Sequence, residues 1–108
     1  APAALGIDVD DAEPLEEALQ ELVCTPRELA GLPASERGLR ARAAFCAKEA
    51  AYKALGPRRA DVRGFHDLVA ELDGGALRVF LAAEPALTSR GRLVLVSGSF
   101  VAALARRS

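Results

Sequence analysis

The 108-residue sequence predicts an α+β domain in which one long helix packs on an antiparallel sheet. Three observations support this class. Apolar residues recur with a helical period in the first half of the chain, and they alternate with polar residues in the second half. A long uninterrupted helical pattern separates the two halves, and two hairpin signals, DGG and SGS, lie in the second half. The hydrophobic content of 51% is enough for one core, so we expect a single domain over residues 1–108.

The first elements are a strand and two short helices. The strand covers Leu5–Val9 and continues into an acidic stretch. A helix is expected to begin at Pro14, because proline is favoured in the first helical turn. Its apolar stripe consists of Leu15, Ala18, Leu19 and Leu22. Thr25 then acts as an N-cap for a brief helical turn that starts at Pro26 and ends near Leu29.

The remaining elements are the long helix and two hairpins. The helix is predicted from Ser35, as N-cap, to about Leu55, where Gly56 and Pro57 end it. The first hairpin joins Phe65–Asp73 to Ala76–Ala83, and the second joins the RLVLV and FVAALA segments.

The charge balance excludes some partners. Fourteen basic residues against 15 acidic ones give a net charge of -1, so nothing electrostatic favours nucleic acid or a membrane surface. No stretch is long and apolar enough to cross a bilayer, and the start lacks a signal-peptide pattern. Cys24 and Cys46 fit neither a disulfide framework nor a zinc site, which favours two buried thiols in a reducing cytoplasm. The sequence contains no Met, so we expect a processed chain or a fragment of a longer one.

Asp8 and Asp10 are the first candidate ligands. They lie two residues apart at the end of the predicted strand, so both side chains point to one face. Carboxylates in this arrangement can hold a hard cation such as Mg²⁺. The alternative is a solvated acidic turn that precedes a helix.

The segment FCAKEAAYK in the long helix is the second candidate. It contains the only two lysines, Lys48 and Lys53, among 14 basic residues. Phe45, Glu49 and Lys53 lie on one helical stripe, and Lys48 lies on the neighbouring one. A plain surface ion pair between Glu49 and Lys53 is the alternative. The small residues around them instead favour close packing and a cleft.

Three other features carry weaker signals. Glu28 follows CTP in a short turn and is one of nine glutamates. His66 is the only histidine, and a structural hydrogen bond is its expected role. The basic patch of Arg37, Arg40 and Arg42 at the start of the long helix is typical of a solvated face, or of a surface for an acidic partner.

Together, GIDVD on a strand and FCAKEAAYKALG on a helix resemble the 4'-phosphopantetheinyl transferases. The similarity is greatest to the C-terminal half of the Sfp-type enzymes, in the subgroup of enterobactin synthase component D. FHDL and the closing GRLVLVSGSFVAALA also resemble that subgroup. The resemblance covers nearly the whole chain and implies the family fold, as one half of a pseudo-two-fold enzyme.

The resemblance also implies roles for single residues. Asp8, Asp10 and Glu49 would hold Mg²⁺; Asp10 would do so directly or through water, because the matching family position is often Glu. Lys48 and Lys53 would flank the phosphates of coenzyme A, so that Lys48 serves both binding and catalysis. Glu28 would be the general base.

The implied reaction moves the 4'-phosphopantetheine arm of coenzyme A to a serine of an apo-acyl or apo-peptidyl carrier protein and releases 3',5'-ADP. Such cytoplasmic enzymes serve fatty acid, polyketide, nonribosomal peptide or siderophore biosynthesis. A missing N-terminal half would supply the adenine and 3'-phosphate contacts. The alternatives are a stand-alone synthase that works as a trimer, a non-catalytic interaction module with the same fold, and a metal-dependent phosphohydrolase.

Overall fold

A five-stranded antiparallel sheet and one long helix make up most of the structure, a computed structural model that describes residues 3–107. This confirms the predicted α+β class. The strands are β1 Ala3–Asp11, β2 Leu68–Asp73, β3 Ala76–Leu81, β4 Glu84–Val96 and β5 Ser99–Arg107. The helices are α1 Glu17–Val23, α2 Pro26–Leu29 and α3 Ala34–Ala54, with 3₁₀ turns at Gly56–Asp61 and Phe65–Asp67.

The strand order is β1-β5-β4-β3-β2, so the first strand pairs with the last and lies at one edge of the sheet. In this pairing Asp8 is opposite Ala102, and Asp10 is opposite Phe100. Because side chains alternate along a strand, both aspartates point to the face that α3 covers. The topology therefore brings the GIDVD segment against the long helix.

Helix α3 lies very close to β1, because the facing residues are small. Ala47, Ala50 and Ala54 are at most 1% exposed. A Cβ atom built on Gly6 of β1 would lie 1.8 Å from the carbonyl oxygen of Ala50, which is less than any real contact. Gly6 is thus required by the approach of the helix backbone to the strand.

The apolar core lies between α3 and the covered face of the sheet. Its sheet side is formed by Leu77, Val79, Leu93, Ala102 and Leu104. A smaller apolar cluster packs α1 against the first half of α3, and it contains Leu15, Val23, Cys24, Ala41 and Ala44. The second cluster holds the segment between α1 and α3 in place.

The opposite face of the sheet is apolar and open at the β1 edge. On β1, Leu5, Ile7 and Val9 are 70%, 56% and 61% exposed. Val94 of β4 is 43% exposed and pairs with Val101 of β5, which in turn pairs with Val9. Isolated exposed apolar residues are normal, but a contiguous apolar patch on three neighbouring strands is typical of a surface that another polypeptide covers.

Two helix starts differ from the prediction. Helix α1 begins at Glu17 rather than Pro14, because the backbone N–H of Leu15 donates to the carbonyl oxygen of Gly38 at 3.0 Å. The residues before Glu17 are thereby held against α3 instead of continuing the helix. Helix α3 begins at Ala34, with Pro33 in the cap position predicted for Ser35.

The strand boundaries also needed correction. β2 begins at Leu68, not Phe65, because Phe65–Asp67 form a 3₁₀ turn in which Asp67 accepts a hydrogen bond of 2.7 Å from the backbone of Arg63. β3 ends at Leu81 rather than Ala83. β4 is far longer than RLVLV, since Glu84 and Thr88–Gly91 also pair with β3, with a shift of register between these two parts. Pairing with a neighbouring strand here overrides a weak local preference.

In the part of the chain that the structure describes, none of the helices is both long enough and apolar enough to cross a bilayer.

Candidate active site

One face of α3 meets the end of β1 through a stripe of polar side chains. Arg42, Cys46, Glu49 and Lys53 follow each other at intervals of four, three and four residues, so they share one helical face. The Cys46 thiol donates to the backbone oxygen of Asp8 at 3.4 Å. The stripe thus runs along the strand that carries both predicted aspartate ligands.

Each aspartate is paired with a cation of this stripe. Lys53 Nζ lies 3.0 Å from Asp8 Oδ1 and also donates to the backbone oxygen of Ile7 at 2.9 Å. Arg42 contacts Asp10 Oδ2 at 3.2 Å and donates to the carbonyl oxygen of Glu13 at 2.9 Å. The side chains of Asp8 and Asp10 are only 17% and 22% exposed. Neither aspartate lies in the solvated turn that was the alternative interpretation.

Glu49 lies on α3 between the two cations. Partial burial raises the pKa of the Glu49 carboxyl, and the charges of Asp8 and Asp10 raise this pKa further, whereas Lys53 lowers it. Glu49 lies on the same α3 face as Lys53 and Arg42, which bond to Asp8 and Asp10, so Glu49 faces the strand that carries both aspartates. The ammonium of Lys53 bonds to Asp8 of β1, so an ion pair with Glu49, four residues earlier on the helix, is not its main interaction.

The chemistry of these donors fits a hard divalent cation. All three are carboxylates, the ligand type that Mg²⁺ prefers, and their negative charges repel one another when no cation lies between them. Within residues 3–107, however, no three acidic, histidine or cysteine side chains are already grouped as a finished metal site. Lys53 and Arg42 bind two of the carboxylates, so a metal ion would have to displace or share these contacts.

A cavity of about 260 Å³ opens beside Glu49. Its wall consists of Lys48, Glu49, Tyr52, Val62, Arg63, Gly64, Phe65 and Leu68. It lies between α3 and the segment that connects the 3₁₀ turns. Tyr52 and Arg63 are exposed at this cavity, whereas Lys48 is 1% exposed.

The Lys48 ammonium is buried and fully hydrogen-bonded. It donates to the backbone oxygen of Val23 at 2.7 Å, to Glu28 Oε1 at 2.8 Å and to the backbone oxygen of Phe65 at 3.1 Å. These contacts use all three N–H groups of a lysine. In this conformation Lys48 has no proton left for a phosphate oxygen.

The carboxylate of Glu28 likewise has hydrogen-bond donors at both oxygens. Thr25 and Glu28 form a capping box, in which Glu28 Oε1 accepts from the Thr25 backbone at 2.8 Å. Glu28 Oε2 accepts from the backbone of Ala70 at 2.8 Å, and the Glu28 side chain is only 5% exposed. Breaking such a buried pair by removing one partner costs about 3–5 kcal/mol.

Other predicted residues lie apart from the carboxylates. His66 contacts the backbone oxygen of Glu21 at 2.7 Å, a structural hydrogen bond as expected. Both cysteines are unpaired and buried. Burial and then the nearby Glu28 charge raise the pKa of the Cys24 thiol to about 11. Burial and the Asp8 charge raise the pKa of the Cys46 thiol to about 12.

Arg42 is the site residue that the sequence interpretation missed. It was grouped with Arg37 and Arg40 as a solvated patch, yet its side chain is only 23% exposed and reaches Asp10. The available signal was its distance along the helix, since Arg42 precedes Glu49 by seven residues and therefore shares its face.

Residues 4–105 match the family model of the 4'-phosphopantetheinyl transferase superfamily. No curated protein matches the chain significantly. Because the family match spans nearly all of the described residues, the chain belongs to the 4'-phosphopantetheinyl transferase superfamily.

Proposed function

We propose that this chain forms the catalytic half of a Mg²⁺-dependent enzyme that transfers 4'-phosphopantetheine from coenzyme A to a serine of an apo-carrier protein. The observation that carries the proposal is that Asp8 and Asp10 on β1 bond to the face of α3 that carries Glu49, in a chain of this superfamily. The proposal also includes the holo-acyl-carrier-protein synthase type of activity and a cytoplasmic location.

The metal ligands in this proposal are Asp8 and Glu49, with Asp10 bound directly or through water. Mg²⁺ held there would offset the negative charge that the diphosphate of coenzyme A carries in the transition state. Lys53 is 51% exposed at its side chain, so it can exchange Asp8 for a phosphate oxygen when the metal binds. The phosphate role of Lys48 is still a prediction, because its ammonium already has three partners.

The reaction consists of one displacement at phosphorus. The serine Oγ of the carrier forms a bond to the β-phosphorus, and the bond from this phosphorus to the bridging oxygen breaks. The electron pair leaves with 3',5'-ADP, and the serine proton passes to a base. The family resemblance gives that role to Glu28, which can accept a proton only by giving up one of its present donors.

We also propose that a second lobe of the same family covers the open face of β1, β5 and β4. The apolar face formed by Leu5, Ile7, Val9, Val94 and Val101 supports this, since such a patch is suited to a large protein interface. In the complete protein, Ile7→Lys should lower activity and loosen the lobes, whereas Leu19→Lys on α1 should not. If the 108-residue chain instead sediments as an active trimer, the stand-alone synthase branch is correct.

The test of the proposed function is the transfer itself. The complete protein is incubated with coenzyme A, Mg²⁺ and an apo-carrier, and mass spectrometry looks for one phosphopantetheine arm on the carrier. Glu49→Gln should lower transfer at least about 100-fold, more than residues that only support a metal ligand usually cost. The matched control is Glu36→Gln, an exposed glutamate in the first turn of the same helix. A fully active Glu49→Gln variant would remove the metal assignment.

A non-catalytic interaction module is the second candidate. Calorimetry distinguishes it, because a transferase should bind coenzyme A more tightly when Mg²⁺ is present, and a scaffold should not. Hydrolysis of a small phosphate ester without any carrier would favour the phosphohydrolase alternative.

A further inference from the structure

We infer that Glu28 and Lys48 form a buried positioning pair that fixes the cavity wall beside Glu49, and that neither residue touches the substrates. The inference rests on the proposed function, since it concerns the same cavity. It assigns to Glu28 a role other than general base and to Lys48 a role other than phosphate ligand.

The first argument is saturation of both partners. The ammonium of Lys48 donates three hydrogen bonds, and the carboxylate of Glu28 accepts from Thr25, Lys48 and Ala70. The two residues share one of these contacts, and all five distances are between 2.7 and 3.1 Å. Buried polar groups in this state are well satisfied, so each stabilises the position of the other.

The second argument is the number of segments that the pair joins. Lys48 lies on α3 and bonds to the end of α1 through Val23 and to the turn at Phe65. Glu28 lies on α2 and bonds to β2 through Ala70. Three stretches that are distant in sequence, residues 23–28, Lys48 and residues 65–70, therefore meet at two side chains. This is the bonding expected of a structural centre.

The third argument is the position of this centre relative to the cavity. Lys48 and Phe65 form the inner wall, and Glu49 is the next residue of α3. The hydrogen bond from Lys48 to the Phe65 carbonyl fixes the distance between α3 and the segment that carries Arg63 and Gly64. The pair thereby sets the width of the cavity in which Glu49 lies.

The low solvent exposure of Glu28 argues against its acting as the general base. The serine of a carrier protein arrives from solvent, and a general base must come within hydrogen-bond distance of its hydroxyl. The Glu28 side chain is 5% exposed and that of Lys48 is 0% exposed. Exposing Glu28 would leave the Lys48 ammonium buried with one partner fewer, which is costly.

The experiment uses the complete protein with coenzyme A and an apo-carrier, and three variants: Glu28→Gln, Lys48→Met and the double variant. A positioning pair predicts that each single variant lowers the melting temperature and raises KM for coenzyme A. It also predicts that kcat falls less than about 10-fold in Glu28→Gln, and that the acidic limb of the pH profile is unchanged. Coenzyme A affinity measured by calorimetry should fall in parallel with the rise in KM.

The double variant provides the decisive comparison. Removing both charges leaves no unpaired buried ion, so the double variant should recover much of the stability and of the coenzyme A affinity lost by Lys48→Met. A residue that only stabilises the fold would change the melting temperature and leave KM unchanged in protein that is fully folded at the assay temperature. That outcome would overturn the positioning role.

A general-base role of Glu28 predicts a different result for the same variants. If Glu28 is the base, Glu28→Gln should lower kcat by about 10²–10⁴-fold with an unchanged KM, and the double variant should stay inactive. The matched control is Glu71→Gln, which removes a half-buried carboxylate of β2 that pairs with Arg78 and Arg27 outside the cavity. It should behave like the wild type. A wild-type protein without any transfer would instead refute the proposed function, which separates the two failures.

Discussion

The close contact between β1 and α3 predicts a severe effect of a single added methyl group at Gly6. A Cβ at this position would lie 1.8 Å from the Ala50 carbonyl oxygen and 2.8 Å from the Ala54 backbone nitrogen, whereas ordinary contacts begin at 3.4 Å. The strand and the helix must therefore separate by about 1.6 Å in Gly6→Ala. Both opposing atoms are backbone, so no side chain can rotate away.

The expected result is a loss of both stability and transfer. Overpacking of this kind typically costs about 1–3 kcal/mol of unfolding free energy. The separation also moves Glu49 of α3 away from Asp8 of β1, and a misplacement of about 1 Å in a catalytic arrangement can cost about 100-fold in rate. Urea unfolding measures the first quantity, and the carrier-loading assay measures the second at a temperature where the variant stays folded.

The control for stability is Gly64→Ala. Gly64 has φ of -165°, which any residue adopts, and no atom lies within 4 Å of its added Cβ. Equal stability of Gly6→Ala and the wild type would refute the close approach. A destabilised Gly6→Ala variant with full activity would refute the joint action of Asp8 and Glu49.

Three further predictions follow from the cavity, the metal site and the buried thiols. Arg63→Gln should raise KM for coenzyme A about 10-fold, because Arg63 is the exposed cation on the cavity wall. Arg37→Gln at the start of α3 should leave this KM unchanged. An unchanged KM in Arg63→Gln would exclude a phosphate contact. Asp8→Asn should weaken Mg²⁺ binding by calorimetry at least about 10-fold, with the exposed neighbour Asp11→Asn as control, and equal affinities would reject Asp8 as a ligand. The raised pKa keeps Cys24 protonated in the folded state, so above pH 9 only the unfolded state loses that proton. The free energy of unfolding should therefore fall between about pH 9 and pH 11 relative to that of Cys24→Ala. The same pH dependence in both proteins would contradict this.

The sequence predicted the elements whose signals are local. Thr25 was predicted as the N-cap of a short helix that starts at Pro26, and the structure has this cap. The alternation around DGG and SGS predicted both hairpins. These features depend on neighbours in sequence, so the pattern alone contains the necessary information.

Features that depend on distant neighbours were less predictable. The first part of β4 has little strand character, and pairing of Glu84 and Thr88–Gly91 with β3 makes it a strand. Spacing placed Lys48 beside Glu49 on α3, but it contained no sign that Glu28, 20 residues away, would meet its ammonium. Burial of a charged side chain is a property of the assembled fold, and the sequence therefore indicated only that Lys48 faces a cleft.

The pairing of the first strand with the last has a consequence for how the site arises during folding. Asp10 is opposite Phe100, so pairing of the strand that carries both aspartates needs a loop of about 90 residues to close. Contacts between such distant positions form late and slow the search for the native state. A partly folded chain that contains α3 and the two hairpins, but not β1, would have Glu49 and no aspartate facing it. The metal affinity that we propose would then be acquired only when β1 joins the sheet, so that it would report the last step of folding.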